Sequence, residues 1–322
     1  MAIISACMFA QKSEIELLYA KVVTEDSLVE SWVVVEGAYS FRGDPKPLIL
    51  KELLLKDIRF KDYIQRIHVV EVRKNFLEDF RYGAKYFLRK KFEILIRKLF
   101  FGGHVHVQRL LLEKKYMYAE GNSRDSAIPK ILDLSTSSND WILISDLDEI
   151  LNLSNDFIYK SMIQIMKSNE LFHMLYRQKF IFDFDNLDYQ QRFTPFINVE
   201  LLKSRGSLTA FRGRIDGVAQ IQFPYVTEYT FCFDLDGLFD KYAKAPHPSP
   251  TKESVLKALS VNSMPRFDDL EELRWYKKID TSDYIIPKYI KDNLSVLKTN
   301  IIDDNYELNR KGYYPEIFRD RF

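Results

Sequence analysis

Asp146, Asp148 and Glu149 crowd the end of the stretch NDWILISDLDEIL, residues 139–151, directly after the apolar run Trp141–Ile144. On an extended backbone Asp146 and Asp148 share a face, while Leu147 turns the other way. Two carboxylates held that close repel, and each raises the other's pKa. A divalent cation removes that cost. Mg²⁺ takes one or two carboxylates together with substrate phosphate oxygens, and Mn²⁺ accepts the same ligand types. The spacing predicts a metal–diphosphate site with Asp146 and Asp148 as ligands, and Glu149 either orienting the site or capping the next turn. The bland reading is a solvated acidic turn at a strand end. A third reading makes Asp146 the nucleophile of a phosphohydrolase. That class usually carries its Asp-x-Asp near the N-terminus, with Thr or Val where this chain has Ile150.

The elements that must position these acids alternate between strand and helix patterns. Ile3–Phe9, residues 31–37 (SWVVVEG), residues 66–72 (RIHVVEV) and residues 141–145 (WILIS) are short, β-branched or apolar runs. Such runs read as strands buried on both faces. Residues 14–23, 50–60 and 123–134 carry apolar positions at helical spacing. Strands alternating with helices predict an α/β fold with a mostly parallel central sheet and helices on both faces. Ligands of such sheets bind at the carboxyl ends of the strands, where Glu36 and Asp146 both fall. A closing helix is expected from about Pro287.

Composition narrows the class. The chain has 322 residues, 46% of them hydrophobic, enough for one large packed domain. We expect a single domain, with residues 1–150 forming a nucleotide-binding half and residues 151–322 an acceptor-side half. A net charge of +1 argues against a general nucleic-acid binder. Cys7 and Cys232 are far apart and form no metal or redox motif. No apolar run reaches the roughly 18 residues of a membrane span. The N-terminal segment reads as a strand entering a helix, without the basic start of a signal peptide. The expected setting is cytoplasmic. Residues 81–115 are rich in Lys and Arg interleaved with aromatics. They read either as a basic amphipathic helix lying on a membrane surface or gripping an anion, or as a helix docking its apolar stripe on the core.

Six segments, in order, resemble glycosyltransferase family 17, which contains β-1,4-mannosyl-glycoprotein β-1,4-N-acetylglucosaminyltransferase. They are SEIELLYAKV, SWVVVEGAYSFRGDPKPLIL, AEGNSRDSAIPKIL, DWILISDLDEIL, LFHMLYRQKFIF and YKKIDTSDYIIPKYIKDN. The chain departs from the family's pattern at Gly37-Ala38, where Ser-Asn is frequent, at Leu151, where Pro is frequent, and at Thr227-Glu228, where Trp-His is frequent. The resemblance implies a GT-A-like nucleotide-sugar transferase fold. It implies metal-dependent, inverting transfer of a sugar, GlcNAc above all, from a UDP-sugar donor. The acceptor would be a glycan or a lipid-linked saccharide. A carbohydrate-binding protein that keeps the fold without turnover is the non-enzyme alternative.

In that setting Glu36 is a candidate for the nucleotide base or ribose, and Lys46 for a phosphate. Arg124 either pairs with Glu120 at i, i+4 or holds the diphosphate, whose geometry a guanidinium matches. His247 resembles a histidine that many family members carry, and would complete the metal shell or bind phosphate. Asp216, Glu228, Asp183 and Asp185 are candidate bases for the acceptor hydroxyl, with Asp216 and Glu228 preferred. His173, inside an apolar run, reads as a core histidine, and His104 with His106 reads as structural.

Overall fold

The computed structural model describes residues 1–77, 116–181, 186–212, 220–230, 236, 237, 239, 241, 276–278 and 286–297. Strand β1 (Ile3–Phe9) leads into helix α1 (Ile15–Glu25), and β2 (Val29–Gly37) into α2 (Leu50–Lys56) and β3 (Ile67–Val72). Helical residues 116–125 (α3) and α4 (Ile128–Leu134) precede β4 (Trp141–Ile144). The four strands are parallel in the order β3-β2-β1-β4.

Alternation along the strands explains why helices cover both faces. Trp32, Val34, Trp141 and Leu143 point into one core with Leu17, Leu18 and Val22 of α1. Val33, Val35, Ile142 and Ile144 point into a second core with Ala127 and with Ile131 of α4. β1, β4 and the inner part of β2 lack a polar face because both of their faces are covered, while the edge strand β3 is half-buried. The expected 123–134 helix is split, since Pro129 sits in the first turn of α4, where its missing N–H costs nothing. The 50–60 helix likewise ends at Lys56, because Asp57 is extended (ψ 104°) and its side chain caps the next short turn.

Beyond β4 the sheet becomes mixed. β5 (Glu149–Leu151), β6 (Phe172–Ile181), β7 (Asn186–Asn198), β8 (Gln220–Thr230) and β9 (Tyr276–Lys278) follow in the chain. β7 pairs antiparallel with β4, β6 antiparallel with β7, β8 parallel with β6 and β5 antiparallel with β8, and β9 adds to β7. Segments from both expected halves therefore share one sheet. Only residues 145–148 join β4 to β5, yet three strands separate the two in the sheet order. Residues span at most about 3.6 Å each, so the sheet curls until β5 lies against α1. There Lys21 Nζ donates to Glu149 O at 2.6 Å, and Leu151 N donates to Glu25 Oε1 at 3.0 Å. Near the C-terminus, Pro287 caps a short helix, Lys288–Asp292, and the chain turns again before Leu294–Leu297, so the expected closing helix comes in two pieces.

Among the described residues no helix is long and apolar enough to cross a membrane. Residues 81–115, with His104 and His106, lie outside the described residues. His173 is buried as expected, its ring 5.6 Å from that of Trp141, and burial lowers its pKa.

Candidate functional site

The chain runs from β1 outward to β2 and β3, then returns to place β4 on the other side of β1. That reversal opens a crevice at the carboxyl ends of β1 and β4, where open α/β sheets bind ligands. Beside it, at the carboxyl ends of β1 and β2, lies a shallow cleft whose roughly 350 Å³ merges with open solvent, with Phe9, Tyr39, Ser40, Phe41, Lys46 and Ser123 in its lining. Its outer wall is the β2–α2 loop, closed by Lys46 N donating to Ala38 O and Ser40 N to Asp44 O, both at 2.8 Å. Gly43 sits at φ +90°, and a Cβ there would lie 2.9 Å from Leu77 Cδ1, so no other residue fits that turn without strain.

Lys46 lines the cleft. Glu36 does something else. It is buried at the end of β2, and its carboxylate accepts from Ile49 N at 2.8 Å and from Leu50 N at 3.1 and 3.2 Å. It caps α2, supplying acceptors to amides that the helix cannot satisfy itself. The cleft's lining at this strand end is aromatic instead. Glu36→Gln is expected to cost about 1–2 kcal/mol of stability, read from the urea midpoint, with nucleotide affinity unchanged. Lost affinity at an unchanged midpoint would put Glu36 on the ligand after all.

The Asp-x-Asp segment is a turn, which corrects the extended backbone expected for it. β4 ends at Ile144, and Glu149 N donates to Asp146 O at 3.0 Å, closing the turn that redirects the chain into β5. Asp146 and Asp148 therefore occupy different environments. Asp146 Oδ1 accepts from Arg124 Nη2 at 2.9 Å, and Oδ2 accepts from Arg212 Nη2. Burial works to raise its pKa, but Arg212 and then Arg124 outweigh that and hold the carboxyl well below the usual range. The mutual repulsion expected of the two aspartates does not decide this one.

Asp148 is the opposite case. It is buried, and among the described residues no hydrogen-bond donor reaches its carboxylate. Burial pushes its pKa up to about 7; Lys241 works against the rise, while Glu228, Asp146 and Glu149 add to it. Every neighbouring carboxylate has a cation of its own. Glu149 accepts from Arg177 Nη1, from Thr194 Oγ1 at 2.9 Å, and from both terminal nitrogens of Arg212 at 2.9 Å. Glu228, opposite Glu149 across the β5–β8 ladder, pairs with Arg177 Nε at 2.8 Å and Lys179 Nζ at 3.4 Å. Glu14 takes Lys241 Nζ at 2.7 Å, and Glu120 takes Arg124 Nη2 at 2.7 Å. A buried carboxylate without a donor suits a divalent cation, so Asp148 fits the expected metal. Among the described residues no group of three or more His, Cys, Asp or Glu is gathered to hold an ion alone.

Two elements deliver the arginines. Asp125, at the end of α3, accepts from Leu208 N and Thr209 N at 2.9 Å and from Ser207 Oγ at 2.8 Å. This ties the helix carrying Arg124 to the short turn preceding Arg212. Gly237 and Lys241 meet the end of β1, where Gln11 Nε2 donates to Gly237 O at 2.9 Å and Lys241 Nζ donates to Glu14.

The site thus unites Asp146, Asp148, Glu149, Glu120 and Arg124, with Lys46 in the adjoining cleft. Glu228 lies in the same network, fixed between two cations. Asp216, His247, Asp183 and Asp185 lie outside the described residues. Arg212, Arg177, Lys179, Lys241 and Glu14 were not expected. Arg177 and Lys179 left a signal, because charges at alternate positions of an otherwise apolar strand imply buried acids to meet them. Arg212 left none. Comparison with protein-family models and with curated proteins finds no match for this chain.

Proposed function

We propose that the protein is a metal-dependent, inverting glycosyltransferase of GT-A-like fold that moves a sugar, GlcNAc in the first place, from a UDP-sugar to a glycan or lipid-linked saccharide. The observation that carries the reading is Asp148: a buried carboxylate without a donor among the described residues, two positions from Asp146 and the two arginines it holds, at the end of the sheet that also carries an aromatic-lined cleft. Tyr39 and Phe41, half-buried at the cleft, offer faces on which a nucleobase stacks, and Lys46 offers a cation to a phosphate. Asp148 is the residue that would hold Mn²⁺ or Mg²⁺. Bound there, such an ion neutralises charge developing on a diphosphate leaving group. Fixed guanidiniums supply the same kind of stabilisation without reorganising. The acceptor hydroxyl needs a carboxylate or histidine to take its proton. Glu228 is held by Arg177 and Lys179, so Asp216 keeps the candidacy.

The phosphohydrolase reading has less support, because both oxygens of its nucleophile, Asp146, are engaged by guanidiniums. A panel of nucleotide sugars, assayed for UDP release with Mn²⁺ and with EDTA, tests the proposal. UDP-GlcNAc is expected to be hydrolysed or transferred only with metal, and Asp148→Asn is expected to abolish that. Phosphate released from simple esters without metal, and lost in Asp146→Asn, would establish the hydrolase. Saccharide binding with no turnover of any donor would establish a binding protein.

A further inference from the structure

We propose that Asp146 is a positioning residue for a two-arginine diphosphate cradle, and that the metal is held through Asp148 without it. This rests on the nucleotide-sugar reading above and assigns its two aspartates different work.

Both oxygens of Asp146 are already matched to positive charge, so a cation there would compete with two guanidiniums. Each oxygen accepts a charge-assisted bond, one from Arg124 and one from Arg212, and such contacts are about twice as strong as neutral ones. A cation ligated by Asp146 would sit against two guanidinium charges unless one of them moved away. Arg212 is held in place, because the same guanidinium grips both oxygens of Glu149 at 2.9 Å and approaches Ile144 O at 3.3 Å. Arg124 is equally constrained, with Glu120 at 2.7 Å and a side chain only 6% exposed. Asp148, two residues on, carries no such ties.

What Asp146 does hold is two planar guanidiniums aligned on one carboxylate. Its own side chain is 37% exposed and that of Arg212 is 18% exposed, so an anion entering from solvent meets Arg212 first, with Arg124 behind it. Arg124 Nε is buried without an acceptor among the described residues, which leaves that guanidinium a donor to offer. Guanidinium forks match phosphate oxygens in pairs, which a lysine cannot reproduce. The pair therefore suits the diphosphate of a nucleoside diphosphate, while Asp146 cancels part of its repulsion when no ligand is bound.

Calorimetric titration of the full chain with UDP, once in EDTA and once in Mn²⁺, separates the roles. Two quantities are read: affinity without metal, and the factor by which Mn²⁺ raises it. Asp148→Asn is expected to keep the metal-free affinity within about twofold and to abolish the Mn²⁺ factor. Asp146→Asn is expected to lose about tenfold in metal-free affinity and to keep the Mn²⁺ factor. Arg212→Lys, which preserves charge and loses the fork, is expected to behave like Asp146→Asn, and it carries the test if circular dichroism shows Asp146→Asn unfolded. An Asp146→Asn protein that loses the Mn²⁺ factor as Asp148→Asn does would overturn the proposal. So would a wild-type protein that binds UDP only with metal. A wild-type protein that binds UDP under neither condition removes the nucleotide-sugar reading itself.

Discussion

Asp148→Asn is expected to make the metal-free protein more stable at pH 8 and to erase its stabilisation by Mn²⁺. The pKa of Asp148 stands at about 7 in the fold, against 3.8 for an ordinary aspartate, because burial and then the charges of Glu228, Asp146 and Glu149 outweigh Lys241. A group whose pKa is raised by folding contributes its full stability below the unfolded value and loses it as pH rises through the folded one. The metal-free protein is therefore expected to weaken between about pH 4 and pH 8, by at most about 4 kcal/mol from this group, at roughly 1.4 kcal/mol per pKa unit. The variant keeps the volume and removes the charge. Melting temperatures at pH 5 and pH 8, in EDTA and in Mn²⁺, are the measurement. Mn²⁺ should raise the wild-type melting temperature more at pH 8 than at pH 5, since only the ionised carboxylate holds it. A variant less stable than wild type at pH 8 in EDTA, or one still stabilised by Mn²⁺, would sink the account of Asp148.

The largest loss of stability is expected at a different ion pair. Lys21 and Glu25 lie one turn apart on α1 with side chains 0% exposed and a contact of 2.7 Å. Lys21 also donates to Glu149 O, and Glu25 accepts from Leu151 N and, at 3.0 Å, from Trp32 Nε1. The pair thus joins α1 to β2 and to β5. Removing one partner leaves the other charged in a dry interior, which costs about 3–5 kcal/mol. Lys21→Met and Glu25→Gln are each expected to lose that much, read from urea unfolding. The double variant is expected to recover most of it, because no charge is stranded and the Gln oxygen still accepts from Trp32 or Leu151. Additive losses would mean that the two charges do not compensate each other. Lys21→Met should also loosen β5, and with it the turn that carries Asp148.

How much of this was legible in the sequence follows from the range of the interactions. β1 to β4 and α1 are set by local apolar patterns, and each was recognisable from its own residues. The Glu120–Arg124 pair was equally readable, being one helical turn long. The acids of the turn were visible, but their division was not: Asp146 is settled by Arg212, which no local pattern connects to it. Glu36 looked like a site residue because it ends a strand; its actual partners are the amides of a helix thirteen residues on. The mixed half of the sheet depends on β5 meeting β8, a pairing between short segments far apart in the chain. A lone Leu at position 151 in place of Pro gave no hint of it.

That late pairing sets an order on synthesis. β5 leaves the ribosome immediately after β4, with no slack between them, but its partner strand and Arg212 emerge only some seventy residues later by the β5–β8 register. Until then Asp148 is hydrated and behaves as an ordinary aspartate. The cleft at the ends of β1 and β2, with Ser123 of α3 in its lining, can take shape on the nascent chain well before that carboxylate is enclosed. In the proposed reading, the surface for a base and phosphates would thus be complete first, and the carboxylate for an ion would be enclosed only with the closing of the sheet.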